Sequence, residues 1–269
     1  MKTKKIKLIA TDIDGTIMDR SFECSPGVKN CIKKLTKEGI KVVLATGRMH
    51  VAAAPVAKQL GLDTPVISYQ GGLIKQQDGA TLYERNLDTS AAAEIIRWAK
   101  GNNIHLNLYM EDKLYAERDT EAIRRYTCER SVPYSICELD KIELKNVNKI
   151  LAIDFKDIQR VTSWVNYLRE NFPQLYIIKS SPYFCEISNP EATKAYAVEF
   201  LRQRWGIEKD EVLTIGDQDN DIELLKAGGI SVAMGNATEN LKSCADYITD
   251  TVDNDGFVQA CLALVEGAC

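Results

Sequence analysis

The sequence predicts an α/β chain built on a parallel sheet and interrupted by an inserted α+β module. Three observations carry this prediction. At both ends of the chain, short apolar runs alternate with amphipathic stretches, the pattern of βαβ units and hence of parallel pairing. Those runs lack the polar alternation of a half-solvated strand, as expected for a sheet covered on both faces. In the middle, strand-like segments follow one another closely with few helices between them.

The elements follow in order. Residues 7–12 read as a buried strand. Residues 26–38 read as a helix with Val28, Ile32 and Leu35 on one face and Gly39 as its stop. Residues 41–46 form a second strand, 51–60 a helix closed by Gly61, and 65–69 a third strand. The middle holds strands over 81–87 and 105–111 around a helix over 90–100, capped by Thr89 or Ser90. Glu111-Asp112-Lys113 is a turn into a strand over 114–117. A strand over 149–155, a helix over 157–171 and short strands over 175–179 and 183–187 complete an α+β module on an open antiparallel sheet. The first pattern then returns, with helices at 192–205, 221–227 and 256–266 and strands at 211–216, 230–234 and 247–249. The simplest topology is one Rossmann-like core made of residues 1–82 and 188–269, with a separate domain inserted at 83–187.

Composition narrows the classes of function. With 45% apolar and 27% charged residues over 269 positions, the chain has the make-up of a globular protein with an ample core. A formal net charge of −4 argues against nucleic-acid or membrane partners. An anionic substrate would have to be held by a metal or by a few placed cations. The basic start, Met1-Lys2-Thr3-Lys4-Lys5, precedes an apolar run too short for a signal peptide. No stretch reaches the roughly 20 apolar residues of a spanning helix. A cytoplasmic protein is expected. The eight cysteines show no C-x-x-C spacing, and the histidines are His50 and His105, so the cysteines read as buried hydrophobes or surface thiols and a zinc site is not expected.

The chemistry lies in loops that follow apolar strands. Asp12-Ile13-Asp14-Gly15-Thr16 comes directly after the first strand, where ligands bind in open α/β sheets. Asp12 and Asp14 point the same way while the backbone stays extended, and two converging carboxylates repel unless a cation joins them. A plain helix cap would account for one Asp, not for both. Gly216-Asp217-Gln218-Asp219-Asn220-Asp221 follows a second apolar strand. It is a hard oxygen cluster without the glycine and terminal glutamate of an EF-hand. Paired with Asp12 and Asp14, it predicts a Mg²⁺ site. Thr46-Gly47-Arg48 ends another strand, where a hydroxyl and an open backbone N–H can cradle phosphate. Lys194 alone would be an ordinary solvated lysine.

Taken in this order, the DxDGT loop, the strand-end Thr, the Lys and the GDxxND run resemble the haloacid dehalogenase-like hydrolases. The likeness covers essentially the whole chain. The position of the insertion between the Thr and Lys motifs resembles the type IIB cap of the Cof-type phosphatases. This resemblance implies a Mg²⁺-dependent phosphatase acting on a small phosphorylated metabolite, such as a sugar phosphate or phosphorylated cofactor. Asp12 would be the nucleophile that becomes an aspartyl-phosphate. Asp14 would be the acid that protonates the leaving alcohol and then activates water. The Asp12 carboxylate, the Asp14 carbonyl and Asp217 would ligate Mg²⁺ with Asp221 in support. Thr46, Lys194, Asn220 and the backbone around Ile13 and Gly47 would hold the phosphate. Two departures stand out: Ala195 follows Lys194 where the family usually has Gly, and Gln70-Gly71-Gly72 replaces a frequent Asn-Gly-Ala. A sugar phosphomutase and a non-catalytic phosphometabolite-binding protein are the alternatives, the second disfavoured because a binder has no need for Asp14.

Overall fold

The computed structural model describes residues 5–130 and 132–265. The chain divides into two compact units, one running to Tyr83 and resuming at Thr193, the other Glu84–Ala192. The first unit opens with β1 (Leu8–Thr11), α1 (Pro26–Lys37), β2 (Lys41–Leu44) and α2 (His50–Gln59). Helix α1 starts where Ser25 accepts the Val28 N–H and Pro26 fills a first-turn position that needs no donor. Then come β3 (Val66–Ser68), β4 (Leu73–Lys75) and β5 (Thr81–Glu84). These three form a small sheet of their own in the order β3–β4–β5. Among the described residues, the third strand expected for the parallel sheet is bridged to it at Ala45 and Ile67, and pairs antiparallel with β4 instead.

The second unit contains α3 (Thr89–Gly101), β6 (His105–Met110), β7 (Lys113–Ala116), α4 (Glu121–Arg130), β8 (Tyr134–Ile136), β9 (Val147–Ile153), α5 (Ile158–Asn171), β10 (Tyr176–Ser181) and β11 (Phe184–Ser188). Its sheet runs β10–β11–β9–β6–β7–β8. The expected open antiparallel sheet needs correction at one edge, because β7 and β8 are parallel. The cap of α3 is also corrected: Asp88 accepts the Ala91 N–H, and Ser90 bonds to Asp88. Glu111 and Asp112, both at positive φ, make the tight turn between β6 and β7. Helices α3 and α5 cover one sheet face, packing Ile95, Ile96, Val161 and Leu168 on Leu106, Leu108, Ile150 and Ile187. The other face carries Asn107, Tyr109 and a buried Lys149–Glu186 pair at 2.7 Å, with Tyr126 of α4 packed edge-on to Tyr109.

The first unit resumes with α6 (Lys194–Arg204), β12 (Val212–Gly216), α7 (Ile222–Ala227), β13 (Ile230–Ala233), α8 (Glu239–Lys242), β14 (Tyr247–Ile248) and α9 (Gly256–Leu264). Position 266, the expected end of the closing helix, lies outside the described residues, as does Cys269. The main sheet has the order β14–β13–β12–β1–β2, with every pairing parallel. Alternate residues of each strand enter different cores. Ile9, Val42, Leu44, Leu213 and Ile215 meet α1, α2 and α9. Leu8, Ala10, Val43 and Val212 meet α6 and α7. This double cover explains the unbroken apolar runs. No described helix is long and apolar enough to cross a membrane.

Candidate active site

β1 and β12 are parallel neighbours, with Leu8 to Thr11 in register with Val212 to Ile215, so the loops after them emerge at one carboxyl edge. The Asp12 N–H donates to the Ile215 carbonyl at 3.0 Å, and Asp217 follows the last residue of β12. On the far side of β1, β2 brings Thr46 to the same edge: Ala45 N–H donates to Thr11 at 2.8 Å and Thr46 N–H to Ile67 at 3.0 Å.

At that edge, one carboxylate oxygen each from Asp12, Asp217 and Asp221 lies within 4.8 Å of the others, and all three residues are buried. Lys194, the first residue of α6, is 1% exposed. Its Nζ donates to Asp12 Oδ1 and to Asp221 Oδ1, each at 2.6 Å. The other Asp221 oxygen accepts the N–H of Asp217 at 3.0 Å and of Gln218 at 3.2 Å. Both Asp221 oxygens are thus engaged by protein, clamping the lysine to the loop after β12. Thr16 Oγ1 donates to Asp217 Oδ1 at 3.3 Å and Gln218 Nε2 to Asp217 Oδ2 at 2.9 Å. Gly15 makes room for this carboxylate. It sits at φ +80°, and a Cβ there would lie 2.4 Å from Asp217 Oδ2.

Three carboxylates face one ammonium. Burial pushes the Asp12 carboxyl up to about 7, with Lys194 opposing and the Asp221 and Asp14 charges adding. Burial, reinforced by Asp12 and Asp221, pushes Asp217 up to about 8 against Gln218 and Lys194. Burial alone would lower the Lys194 pKa, but the two carboxylates beside it win and raise it. A set of buried oxygen donors that converges and carries excess negative charge fits a hard divalent cation. Such an ion would offset the repulsion that a single lysine leaves.

The extended backbone on which a shared orientation of Asp12 and Asp14 depends ends with β1 at Thr11. The Ile13 carbonyl accepts the N–H groups of Thr16, Ile17 and Met18 at 3.3, 3.1 and 3.0 Å, curling the backbone just past the strand. Ile13 is buried in the apolar core, and the Asp14 carboxylate turns outward to Arg48. There Nε lies 2.8 Å from Oδ2 and Nη2 lies 2.5 Å from Oδ1. The Asp14 side chain is therefore not one of the three clustered carboxylates, although its charge reaches Asp12, and the resemblance gives its main-chain carbonyl, not its side chain, as the metal ligand.

Thr46 is buried, and its Oγ1 accepts the Arg48 N–H at 3.2 Å. Gly47 lies against the Gln70 amide, and Asn220 Nδ2 donates to Gln70 Oε1 at 3.2 Å. Thr46, Gly47 and Asn220 are thus linked around Gln70, while Asp12, Lys194, Asp217 and Asp221 meet directly. In the sequence, Arg48 stands out only as the residue after Thr46-Gly47, and Gln70 only as a departure from a frequent Asn. Thr16 and Gln218 give no signal beyond lying within the two acidic loops.

Residues 9–261 match the family described as haloacid dehalogenase-like hydrolase. Among curated relatives, Phosphatase YwpJ of Bacillus subtilis is 28% identical, with 93% of this chain and 97% of that protein covered. The 5-amino-6-(5-phospho-D-ribitylamino)uracil phosphatase YcsE of the same organism is 29% identical over 95% of this chain and 94% of its own. A haloacid dehalogenase-like hydrolase from Bacteroides thetaiotaomicron superposes with a TM-score of 0.85 at 28% identity, covering 96% of this chain and 99% of that one. The likeness is end to end in both directions and includes the loops that form the acidic edge, and the chain belongs to the haloacid dehalogenase-like hydrolases, in their Cof-type branch.

Proposed function

We propose that this enzyme is a Mg²⁺-dependent phosphatase that hydrolyses a small phosphorylated metabolite, a sugar phosphate or phosphorylated cofactor, through an aspartyl-phosphate on Asp12. The observation that carries this reading is the buried Asp12 carboxylate just past the carboxyl end of β1, held by Lys194 and close to Asp217 and Asp221. Relatives named as phosphatases, one of them for a phosphorylated ribityl compound, support the reaction class and a small substrate.

In this reading Lys194 orients Asp12, and an Asp12 oxygen attacks phosphorus as the ester P–O bond breaks. Asp14 gives its proton to the departing alkoxide. It then takes a proton from the water that attacks the phosphorus of the acyl phosphate, so that inorganic phosphate leaves and Asp12 is regenerated. The Arg48 fork holds the Asp14 carboxylate between these transfers. Asp12, Asp217 and the Asp14 carbonyl, with Asp221 in support, would hold Mg²⁺, which when bound would supply charge neutralisation for the phosphoryl group and its nucleophile. Thr46, the backbone at Ile13 and Gly47, and Asn220 hold the phosphoryl oxygens.

Purified protein with Mg²⁺ should release phosphate from p-nitrophenyl phosphate. Asp12→Asn, nearly isosteric but a poor nucleophile, should abolish this while leaving the circular-dichroism spectrum unchanged. Appreciable turnover by that variant would sink the assignment. Product analysis with a sugar phosphate separates hydrolysis from transfer between hydroxyls.

A further inference from the structure

Three of the loops assigned above to phosphate binding converge on a short turn that none of those assignments uses, Tyr69–Gly71. Tyr69 and Gln70 adopt φ of +53° and +59°, a left-handed pair that is uncommon without glycine. The turn is bonded to the Thr46-Gly47-Arg48 loop along the main chain. Gln70 N–H donates to the Thr46 carbonyl at 3.0 Å and Tyr69 N–H to the Arg48 carbonyl at 2.9 Å. Its third residue abuts the start of α6. A Cβ on Gly71, itself at φ +109°, would fall 2.1 Å from the Thr193 carbonyl oxygen, immediately before Lys194. Gln70 is 4% exposed, and its side chain accepts from Asn220 Nδ2 at 3.2 Å. Its Nε2 sits so near Gly47 that a Cβ there would approach it to 2.5 Å.

We propose that Gln70 is a positioning residue of the phosphate cradle, its side-chain amide fixing Asn220 and the Gly47 peptide relative to one another. The unusual backbone is what aims it. A turn with ordinary φ would carry this side chain elsewhere, and asparagine at this position is one methylene shorter than the side chain that meets Asn220. Gln70 itself touches no reacting atom. Its effect falls on how tightly the cradle grips phosphate, so the asparagine frequent at this place in the family is not a conservative replacement here.

This inference rests on the phosphatase reading, and the test separates the two. KM and kcat for p-nitrophenyl phosphate, inhibition by inorganic phosphate and thermal unfolding are measured for wild type, Gln70→Ala, Gln70→Asn, Asn220→Ala and the Gln70→Ala/Asn220→Ala pair. For Gln70→Ala, KM and the phosphate inhibition constant should rise together by about tenfold, roughly the worth of one hydrogen bond between the cradle and phosphate, with kcat changing much less. Gln70→Asn should resemble Gln70→Ala, and the double variant should grip phosphate no more weakly than Gln70→Ala alone. KM and phosphate inhibition within twofold of wild type, or single effects that multiply in the double variant, would overturn the inference. A fall in kcat and unfolding temperature with KM unmoved would also overturn it, because a merely structural residue behaves that way. If Gln70→Ala does not fold, Gln70→Met keeps the length of the side chain, and the same KM and inhibition criteria apply to it. A wild-type protein that turns over no phosphate ester would instead sink the phosphatase reading, and phosphate binding measured by calorimetry on the same variants would then decide the role of Gln70.

Discussion

Lys194 shows how individual side chains divide the work of the acidic edge. It sits in a helix's first turn, where a lysine is ordinarily solvated, yet it is 1% exposed and bonded to two carboxylates. Removing one partner from such a buried ionic group costs several kcal/mol, because the others are left uncompensated. Asp221 gives both its oxygens to the lysine and the backbone, whereas Asp217 is held by weaker donors, Thr16 and Gln218. Asp217 is therefore the residue whose loss should tell most on the cation. Asp217→Ala should raise the Mg²⁺ concentration for half-maximal activity by at least about tenfold, the worth of one lost charge-assisted contact. An unchanged Mg²⁺ titration would count against Asp217 as a ligand.

Among the elements, the strand ends place the chemistry and the helices cover it. At the start of β6, His105 is partly buried, with Nε2 2.9 Å from Asn107 Oδ1 and Nδ1 3.1 Å from Thr120 Oγ1. Burial lowers its pKa, the Asn107 contact opposes this, and the Arg118 charge adds to the lowering. A histidine whose folded pKa lies below its unfolded value contributes stability above the unfolded pKa, about 6.5. That contribution is lost as pH falls through the folded value. Urea unfolding should therefore show a steeper loss of stability between pH 7 and pH 5 in the wild type than in His105→Gln. Equal slopes would remove His105 as the cause. The same element scale shows what the sequence made legible. Asp12, Thr46 and Asp217 each end a doubly covered strand, so local hydrophobicity alone placed them at one edge. Helix α4 gives little amphipathic signal, because Ile123 and Tyr126 are its buried apolar positions in an otherwise polar run. The parallel β7–β8 pairing goes unannounced with it, since α4 is the crossover that makes it possible. Gly15 announces a turn in this loop, but nothing in the residue pattern announces the fork between Asp14 and Arg48 that the turn sets up. The contact between Gln70 and Asn220 joins positions 150 residues apart.

At the scale of the molecule, the two units have separate cores. Leu87 to Ile187 fill one, and the others draw their strands from the two ends of the chain. A continuous segment with its own core and sheet meets the requirements of an autonomous folding unit. Residues 84–192 expressed alone should unfold cooperatively in urea, and a broad, non-cooperative loss of signal would show that they depend on the rest of the chain. The chemistry, by contrast, converges on Asp12. Borohydride added during turnover of p-nitrophenyl phosphate with Mg²⁺ reduces an acyl phosphate to an alcohol, and peptide mass spectrometry locates it. Homoserine at position 12, formed only when substrate is present, is the expected result. Continued turnover with Asp12 unmodified, or reduction at any other carboxylate, would contradict its role as the nucleophile.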